Sequence, residues 1–370
     1  MSVLNLSEPG GPGSADEADG PRLAQLEPPG RSRSKLAGIA LVIVLFALFP
    51  VVISNPVATG IGFWALIFMT AATCWGGFAG SSGYVSLGYA AFYGTGAYAE
   101  ALLVRGLNMA GSYWEFALTP LAGLIAMVVA IPYGLVALRT RRHQFVILTV
   151  AIFFVFQLVA FNVNWLGGSY GIYMPIPPWI GDSFNDHFYY AALILVILTV
   201  ALYAWMGRTR FGLQLNAIRD DEDRAISLGV NTGRVKLVAW VISAGPIGMA
   251  GAVYAYFIGQ VLPQFAFDPL FDASVAVMCI AGGLGTIAGP LLGALVLESL
   301  QQYLTLTFSS TTLYLVLYGV VFVLVILFLP QGIYPLIEQR LHPRRLRGGL
   351  HPAIAALRST RQRIPTAGGK

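Results

Sequence analysis

The dominant feature of this sequence is a series of apolar runs that recur from near the amino terminus to near the carboxyl terminus. Each is roughly 20 residues long, the length that an α-helix needs to cross a hydrocarbon core about 30 Å thick. Backbone N–H and C=O groups find no water in lipid, so each run must satisfy its own hydrogen bonds. The alternation over about 10 residues that is typical of outer-membrane strands is absent. The sequence therefore predicts an all-α polytopic membrane protein.

Charged residues make up 11% of the chain, against about 25% in soluble domains, which agrees with this class. From the apolar pattern we place about ten transmembrane or re-entrant helical segments. They lie near residues 36–53, 57–79, 84–104, 114–138, 144–162, 188–206, 234–258, 270–289, 290–308 and 312–330. The segments within 84–104 and 270–308 are rich in glycine, which leaves open whether they cross the membrane fully.

The two ends of the chain differ from its apolar middle. Residues 1–35 are rich in Gly, Pro, Ser, Asp and Glu, and this composition has too little apolar surface to fold, so we expect a disordered tail. Residues 36–336 form the predicted transmembrane domain. Residues 337–370 form a basic tail.

The basic residues predict the orientation in the membrane. Of the 22 Lys and Arg residues, all except Arg105 fall in residues 1–35, 139–143, 207–236 and 337–370. Cytoplasmic loops carry an excess of Lys and Arg, so these four segments are predicted to be cytoplasmic, with both termini inside. The net charge of +5 is then explained by topology, and it gives no reason to expect a nucleic-acid partner.

Residues 207–236, which we call the 207–236 loop, form the long polar interruption between two apolar runs. Phe211, Leu215 and Ile218 recur at i, i+4 and i+7, which predicts a short amphipathic helix. An acidic run follows, and Gly229 is placed to end a helix. Such a loop is either a solvated connection between spans or a docking segment.

Two glycine-rich stretches, Trp75–Tyr98 and Ala281–Ala294, lie in different halves of the chain. Small residues let transmembrane helices pack closely, which is one explanation. A matched pair of glycine-interrupted segments also indicates broken helices that line a substrate route, and for the pair together we favour this explanation. The residues assigned to that route are Gly83, Ser86, Gly88, Phe92, Gly94, Gly96, Tyr98, Gly282, Gly283, Gly285 and Thr286.

Motifs for catalysis are absent from the sequence. No GxxxxGK[ST] phosphate loop occurs, the four histidines have no metal-ligand spacing, and no Ser, His and Asp share a local context. We therefore expect neither an enzyme nor a cofactor or metal site. Cys74 and Cys279 lie in apolar segments and are read as free buried thiols. Glu298 is the most deeply embedded acid and is a proton-relay group, a partner for a neighbouring helix or a residue near the end of a span.

Several motifs, in the same order, resemble the branched-chain amino acid ABC transporter permeases (LivM-like). The resemblance covers about residues 36–336. The matching stretches are Ser86–Gly88, Phe92–Tyr98, Leu166–Ile172, Arg210–Gly212, Ala217–Glu222, Leu228–Asn231, Arg234–Lys236, Ser243–Ala244, Gly248, Ala250–Ala252, Gly282–Thr286 and Gly289–Pro290.

This resemblance implies a transmembrane subunit of an ATP-driven importer in the bacterial cytoplasmic (inner) membrane, in contact with membrane lipid. Its implied partners are cytoplasmic ATPase subunits that bind the ATP, a second permease subunit in a heterodimer, and an extracytoplasmic solute-binding protein. Branched-chain or related hydrophobic amino acids are the implied substrates, moved inward. Urea, short amides and other amino acids remain alternatives within the family, and an ion-coupled secondary carrier is the rival outside it.

The resemblance also implies two docking sites. In these permeases an EAA-x3-G motif forms the helix that docks on the ATPase, and the aligned residues here are Asp223-Arg224-Ala225-x3-Gly229. Ala225 to Gly229 would present a small, close-packing surface to the ATPase. The residues assigned to ATPase coupling are Arg219, Glu222, Asp223, Arg224, Ala225, Gly229 and Asn231. Those assigned to docking of the binding protein are Gly167, Gly168, Ser169 and Gly171.

Overall fold

The computed structural model of the chain describes residues 33–53, 55–107, 114–175, 177, 179, 181, 183–308, 313–328 and 332–334. The chain divides into two units, Met1–Phe46 and Ala47–Lys370. The first unit contributes the start of helix α1, and every feature discussed below belongs to the second. The predicted tails, 1–35 and 337–370, lie outside the described residues except for residues 33–35.

The described elements are predominantly helices. They are α1 (Arg33–Val52), α2 (Pro56–Ser82), α3 (Ala90–Gly106), α4 (Trp114–Ala137), α5 (Arg142–Asn162), α6 (Phe184–Met206), α7 (Arg210–Asp220), α8 (Glu222–Ser227), α9 (Thr232–Ile258), α10 (Pro263–Ala266), α11 (Pro269–Gly282), α12 (Ala288–Thr307) and α13 (Leu313–Phe328). Two short strands, β1 (Ile172–Tyr173) and β2 (Gln260–Val261), pair in antiparallel fashion.

Six segments of the described chain are long and apolar enough to cross a membrane. They are Pro56–Ser82, Glu115–Ala137, Arg142–Asn162, Phe184–Met206, Thr232–Ile258 and Pro263–Gly282. Their outward faces expose large apolar side chains, such as Ile147 at 73% and Val128 at 64%, which suits contact with lipid. The predicted all-α membrane class is confirmed. Helices α1, α3, α12 and α13 cover the other predicted segments.

Helices α3 and α9 approach so closely that only glycine fits at their contact. A Cβ atom on Gly96 would lie 1.9 Å from the carbonyl oxygen of Gly248, and one on Gly251 would lie 1.9 Å from that of Tyr93. Helix backbones at this separation gain van der Waals contact, which is the main attraction between helices in lipid. Next to this contact, Trp240 packs against the rings of Phe92 and Tyr89 at 5.0 and 5.1 Å between centroids.

The connection between α2 and α3 corrects one sequence prediction. We expected helix from about residue 84, but α3 begins only at Ala90, and residues 83–89 are not helical. Gly83 ends α2 with a φ of +73°, a conformation that glycine adopts without strain. Segment 83–89 is nevertheless largely buried, with Tyr84 and Ser86 at 2% and 1% exposure. Irregular backbone at membrane depth is tolerated where protein surrounds it.

Candidate functional site

The 207–236 loop folds into two short helices, not one. Asp221, with extended backbone (φ −158°, ψ 108°), separates α7 from α8. Its side chain accepts a hydrogen bond from the backbone N–H of Arg224 at 3.0 Å and so caps α8. The acidic run, residues 220–223, therefore contains a helix boundary.

Helix α7 packs on the transmembrane helices through the apolar stripe of the predicted amphipathic helix. Leu215 and Ile218 are fully buried, and Phe211 is half-buried. Arg219 donates from Nη1 to the carbonyl oxygen of Gly80 near the end of α2 at 3.0 Å. Arg142, at the start of α5, donates to the carbonyl oxygens of Ile218 and Arg219 at 3.1 and 2.8 Å. These bonds hold the carboxyl end of α7 against α2 and α5.

Three side chains from three elements form a compact charged group, which we call the Tyr84 cluster: Tyr84 of segment 83–89, Glu222 of α8 and Lys236 of α9. The Tyr84 hydroxyl donates to Glu222 Oε2 at 2.6 Å and accepts from Lys236 Nζ at 3.0 Å. Lys236 Nζ also lies 2.5 Å from Glu222 Oε1 and 4.3 Å from the centre of the Tyr84 ring. Glu222 was predicted to serve ATPase coupling, but its carboxylate points inward.

The ionised form of Glu222 is stabilised by this cluster. Partial burial opposes ionisation of the carboxyl, but the hydrogen bonds from Lys236 and Tyr84 outweigh that effect, so the pKa of Glu222 lies below its ordinary value. The buried Lys236 ammonium keeps a negative partner, which a buried charge requires.

Ala225 does not belong to the outer surface of the loop, which corrects the prediction of a small docking surface. It is 1% exposed because it packs against this chain, whereas Ile226 and Leu228 are 53% and 77% exposed. Asp223 and Arg224 are also exposed. The side chains that α8 offers to a partner are therefore apolar and charged, and they flank Ala225.

Gly229 ends α8 as predicted. Its φ is +84°, and the N–H groups of Gly229 and Val230 bond to the carbonyl oxygens of Ile226 and Ala225 at 2.9 and 3.1 Å. This pair of bonds is the Schellman motif, in which glycine takes the left-handed position. Asn231 then caps α9 by accepting from the N–H of Arg234 at 3.1 Å. Both residues shape the backbone around α8.

A buried carboxylate of α11 holds the start of α3. Asp272 Oδ1 accepts from the backbone N–H groups of Tyr89 and Ala90 at 2.9 and 3.1 Å. The amino terminus of α11 itself is capped by Asp268, which accepts from the N–H of Leu270 at 2.9 Å. The broken-helix amino terminus at Ala90 is thus occupied by the protein's own carboxylate.

Most residues predicted to line a substrate route are enclosed by packing. An added Cβ atom would lie 2.0 Å from the Tyr133 hydroxyl at Gly88, 2.4 Å from the Phe267 ring at Gly94, and 1.9 Å from the Gly289 carbonyl oxygen at Gly282. Gly96 meets Gly248 in the same way. Other members that are buried or that shape a helix end are Gly83, Ser86, Phe92, Tyr98 and Gly283. Close packing therefore accounts for these glycines within the described chain.

Gly285 and Thr286 of the predicted route do line a cavity of about 220 Å³. Its walls come from the glycine face of α2, the end of α6, helix α7 and the connection between α11 and α12. The lining residues are Thr73, Gly76, Gly77, Gly80, Ser81, Tyr203, Met206, Gly207, Gly212, Leu215, Asn216, Arg219, Gly285, Thr286 and Ile287. The cavity therefore joins the 207–236 loop to the second glycine-rich stretch.

The predicted binding-protein segment lies at the other end of α9, beside β1 and β2. Gly167, Gly168 and Gly171 have φ values of +84°, +54° and +69°. A Cβ atom on Gly171 would lie 2.1 Å from the carbonyl oxygen of Val261, so glycine permits the close strand pairing. Ser169 is exposed. The aromatic side chains Trp165, Tyr170 and Tyr173 are also exposed, at 71%, 83% and 75%.

Among the residues that the structure describes, no group of three or more His, Cys, Asp or Glu side chains is arranged to hold a metal ion. Cys74 and Cys279 are free and buried, as predicted. Glu298 is fully buried and accepts a hydrogen bond from Gln302, one turn along its own helix, at 2.8 Å. This contact is local to α12.

Residues 57–326 match the family described as branched-chain amino acid transport system / permease component. The chain belongs to this family. This permease is 29% identical over 289 residues to the high-affinity branched-chain amino acid transport system permease protein LivM of Escherichia coli (strain K12). That match covers 71% of the permease and 66% of LivM, slightly less than two thirds of the relative's length.

Two further relatives extend the comparison. The permease is 27% identical over 271 residues to LivH of Salmonella typhimurium, with 69% of this chain and 86% of LivH covered. It is 27% identical over 169 residues to the ribose import permease protein RbsC of Bacillus subtilis (strain 168), with 45% and 51% covered. No solved structure matches the permease significantly.

Proposed function

We propose that this chain is the transmembrane permease subunit of an ATP-binding cassette importer that moves branched-chain or related hydrophobic amino acids inward. The observation that carries the proposal is the 207–236 loop, which is folded onto the transmembrane helices and still exposes Ile226 and Leu228. Large exposed apolar side chains on a rigid element are the usual anchors of a protein interface. The names of LivM and LivH support the substrate class.

In this proposal the loop and both termini face the cytoplasm, in agreement with the distribution of Lys and Arg. Separate ATPase subunits bind ATP and dock on α8, where Ile226 and Leu228 enter a groove and Asp223 and Arg224 form charged contacts around them. Closure of the ATPase dimer displaces α7 and α8. The permease itself hydrolyses nothing.

The fixed contacts of the loop give this displacement a route into the membrane. Arg219 is bonded to α2, Arg142 bonds the loop to α5, and Glu222 is bonded to Lys236 of α9. Because helices move as rigid elements, a shift of α8 would tilt α2, α5 and α9 relative to the rest of the subunit. Alternating access to the substrate would follow from this tilt, with a second permease subunit completing the pathway.

The extracytoplasmic side would receive the solute-binding protein. The platform of residues 165–173 is held by strand pairing and presents Trp165, Tyr170 and Tyr173 to solvent. Tyr and Trp supply large contact area at low entropic cost, which suits a transient docking surface. Gly167, Gly168, Ser169 and Gly171 shape its backbone.

A test of this function is co-expression with candidate ATPase subunits, with ATP-driven uptake and co-purification of the ATPase measured for wild type and Leu228→Ser. We expect the wild type to take up substrate and to co-purify with the ATPase. Leu228→Ser should largely lose both, because an exposed anchor is removed without disturbing the fold. Leu107→Ser is the matched control, since Leu107 is 53% exposed at the opposite end of the helices. It should capture ATPase like the wild type.

Two outcomes would redirect the proposal. Uptake into liposomes under an ion gradient, with no ATPase present, would favour a secondary carrier. A second candidate substrate class, sugars, is suggested by the similarity to RbsC. Competition of labelled leucine uptake by ribose, urea or short amides separates these substrates, and failure of leucine to be taken up would reject the amino-acid assignment.

A further inference from the structure

Segment 83–89 is attached at both ends by side chains that are distant in the sequence. At its start, Tyr84 bonds Glu222 of the 207–236 loop, 138 residues away. At its end, the N–H group of Tyr89 bonds Asp272 of α11, 183 residues away. In between, Trp75 Nε1 donates to the carbonyl oxygen of Ser86 at 2.7 Å. The segment therefore connects the loop with the start of α3 and with α11.

The attachment at Tyr84 depends on one hydroxyl group. That hydroxyl donates to the Glu222 carboxylate and accepts from the Lys236 ammonium, and the tyrosine is 2% exposed. Hydrogen bonds to ionised groups are about twice as strong as neutral ones, and partial exclusion of water strengthens them further. A shift of α8 thus pulls on Tyr84 through a short bond of 2.6 Å.

The rest of the segment is held by bonds to other elements. Residues 83–89 are not helical, so no ladder of i to i−4 bonds fixes them, and the N–H group of Leu87 donates to Thr149 Oγ1 of α5 at 3.3 Å. Beyond Leu87, the N–H group of Gly88 bonds the Ser86 hydroxyl within the segment, and the N–H groups of Tyr89 and Ala90 are both held by Asp272 of α11. Movement at Tyr84 therefore has a bonded path to α3 and α11. The bonds of Arg219 and Arg142 attach the loop to α2 and α5, and they reach neither α3 nor α11.

We propose that Tyr84 is a positioning residue that transmits movement of α8 through segment 83–89 to the Asp272-capped start of α3. This inference rests on the proposed function, because it names the route by which the docked loop acts on the transmembrane helices. Tyr84 touches no substrate in this role. It acts through the backbone that follows it.

The test is Tyr84→Phe in proteoliposomes that contain the permease, its ATPase subunits and the binding protein, with uptake and ATP hydrolysis measured together. Phenylalanine keeps the ring and its contact with Lys236 but removes the hydroxyl. We expect uptake per ATP hydrolysed to fall at least several-fold. Tyr303→Phe is the matched control, because Tyr303 is 60% exposed and remote from the loop, and its ratio should equal that of the wild type. A wild-type ratio in Tyr84→Phe would overturn the inference.

A second measurement separates transmission from a general loss of stability. Hydrogen exchange of the purified permease should show faster exchange at the amides of residues 87–90 in Tyr84→Phe, with the exchange of α5 and α6 as in the wild type. Faster exchange throughout would assign Tyr84 a stabilising role only and overturn the inference, as would unchanged exchange at residues 87–90. If the wild type shows no ATP-driven uptake, the proposed function fails, and this exchange experiment still decides whether Tyr84 controls the start of α3.

A double variant gives a third check on the same link. If Tyr84 and Glu222 act as one unit, Tyr84→Phe combined with Glu222→Gln should lower the uptake-to-hydrolysis ratio no further than the more severe single change. Additive losses would show that the two residues act separately, and would overturn the proposed link.

Discussion

The carboxylate of Asp272 caps the first turn of α3 at Ala90, although 182 residues separate the two in the chain. The cap is completed by the N–H group of Tyr89, and Asp272 is only 2% exposed. Two backbone N–H groups at a buried helix start would otherwise lack an acceptor, at a cost of about 1–3 kcal/mol each. One side chain of α11 thus stabilises the irregular backbone of segment 83–89.

Asp272→Ala should lower the free energy of unfolding by about 2 kcal/mol or more, since a helix cap is lost in a site that water cannot reach. Asp272→Asn should lower the free energy of unfolding by less, because its side-chain oxygen can still accept a hydrogen bond from the backbone N–H groups. Asp268→Ala is the comparison: it removes the cap of α11 at a more exposed position and should cost about 1 kcal/mol. Thermal unfolding in detergent measures all three, and equal losses for Asp272→Ala and Asp268→Ala would contradict the buried-cap interpretation.

The Tyr84 cluster should make attachment of α8 dependent on pH. The folded-state pKa of Glu222 is depressed, so its contribution to stability is fully present above the ordinary carboxyl pKa of 4.5 and is lost as the pH falls through the lower folded value. We expect the wild type to be more stable than Glu222→Gln near pH 7. The difference should shrink below about pH 4.5, the unperturbed value. Unfolding of both proteins across pH tests this, and a difference that grows with acid would have the wrong sign.

Gly96→Ala should destabilise the contact between α3 and α9. The added methyl would lie 1.9 Å from the carbonyl oxygen of Gly248, so the two backbones must separate. Overpacking of this kind costs about 1–3 kcal/mol or more. Gly106→Ala is the control in the same helix, because nothing lies within 4 Å of its added Cβ atom. If Gly96→Ala unfolds like the wild type while uptake is lost, Gly96 would belong to the substrate route after all.

Gly229→Ala tests the backbone conformation that ends α8. The left-handed φ of +84° costs an alanine about 1–2 kcal/mol, although the space around the added methyl is open. Gly229→Asn should be tolerated better, because asparagine adopts this conformation more readily. We expect ATPase capture to be weakest for Gly229→Val, intermediate for Gly229→Ala and strongest for Gly229→Asn among the three variants. Equal capture by all three would show that the end of α8 does not position the docking surface.

The local pattern of the sequence predicted much of the loop correctly. The spacing of Phe211, Leu215 and Ile218 identified the buried face of α7, and Gly229 was recognised as the residue that ends α8. Both properties depend on neighbours within one or two helical turns, so periodicity and conformational preference are sufficient to find them. The burial of the Ala225 side chain could not be predicted in this way. A small side chain suits either a partner's surface or the chain's own interior, and only the packing of α8 decides.

The glycines show the same division. Their density marked the stretches where helices end or approach closely, because most of these positions either leave no space for a Cβ atom or hold a left-handed φ. Density alone could not separate the two causes. Gly88, Gly94 and Gly96 serve close contact, Gly83 ends a helix, and Gly285 lines a cavity. The close contacts and the cavity wall depend on atoms from distant parts of the chain, whereas the helix end at Gly83 depends on its own left-handed φ.

The sequence by itself determined the membrane class, the helical segments, the folded polar loop and the permease family, since apolar run length, periodicity and motif order are all carried by consecutive residues. The tertiary structure alone decided that residues 83–89 leave the helical conformation, that Asp272 caps α3, and that Glu222 bonds Tyr84 and Lys236. These features arise because buried N–H groups and charges must find partners, and the nearest partner in space is supplied by whichever helix packs alongside.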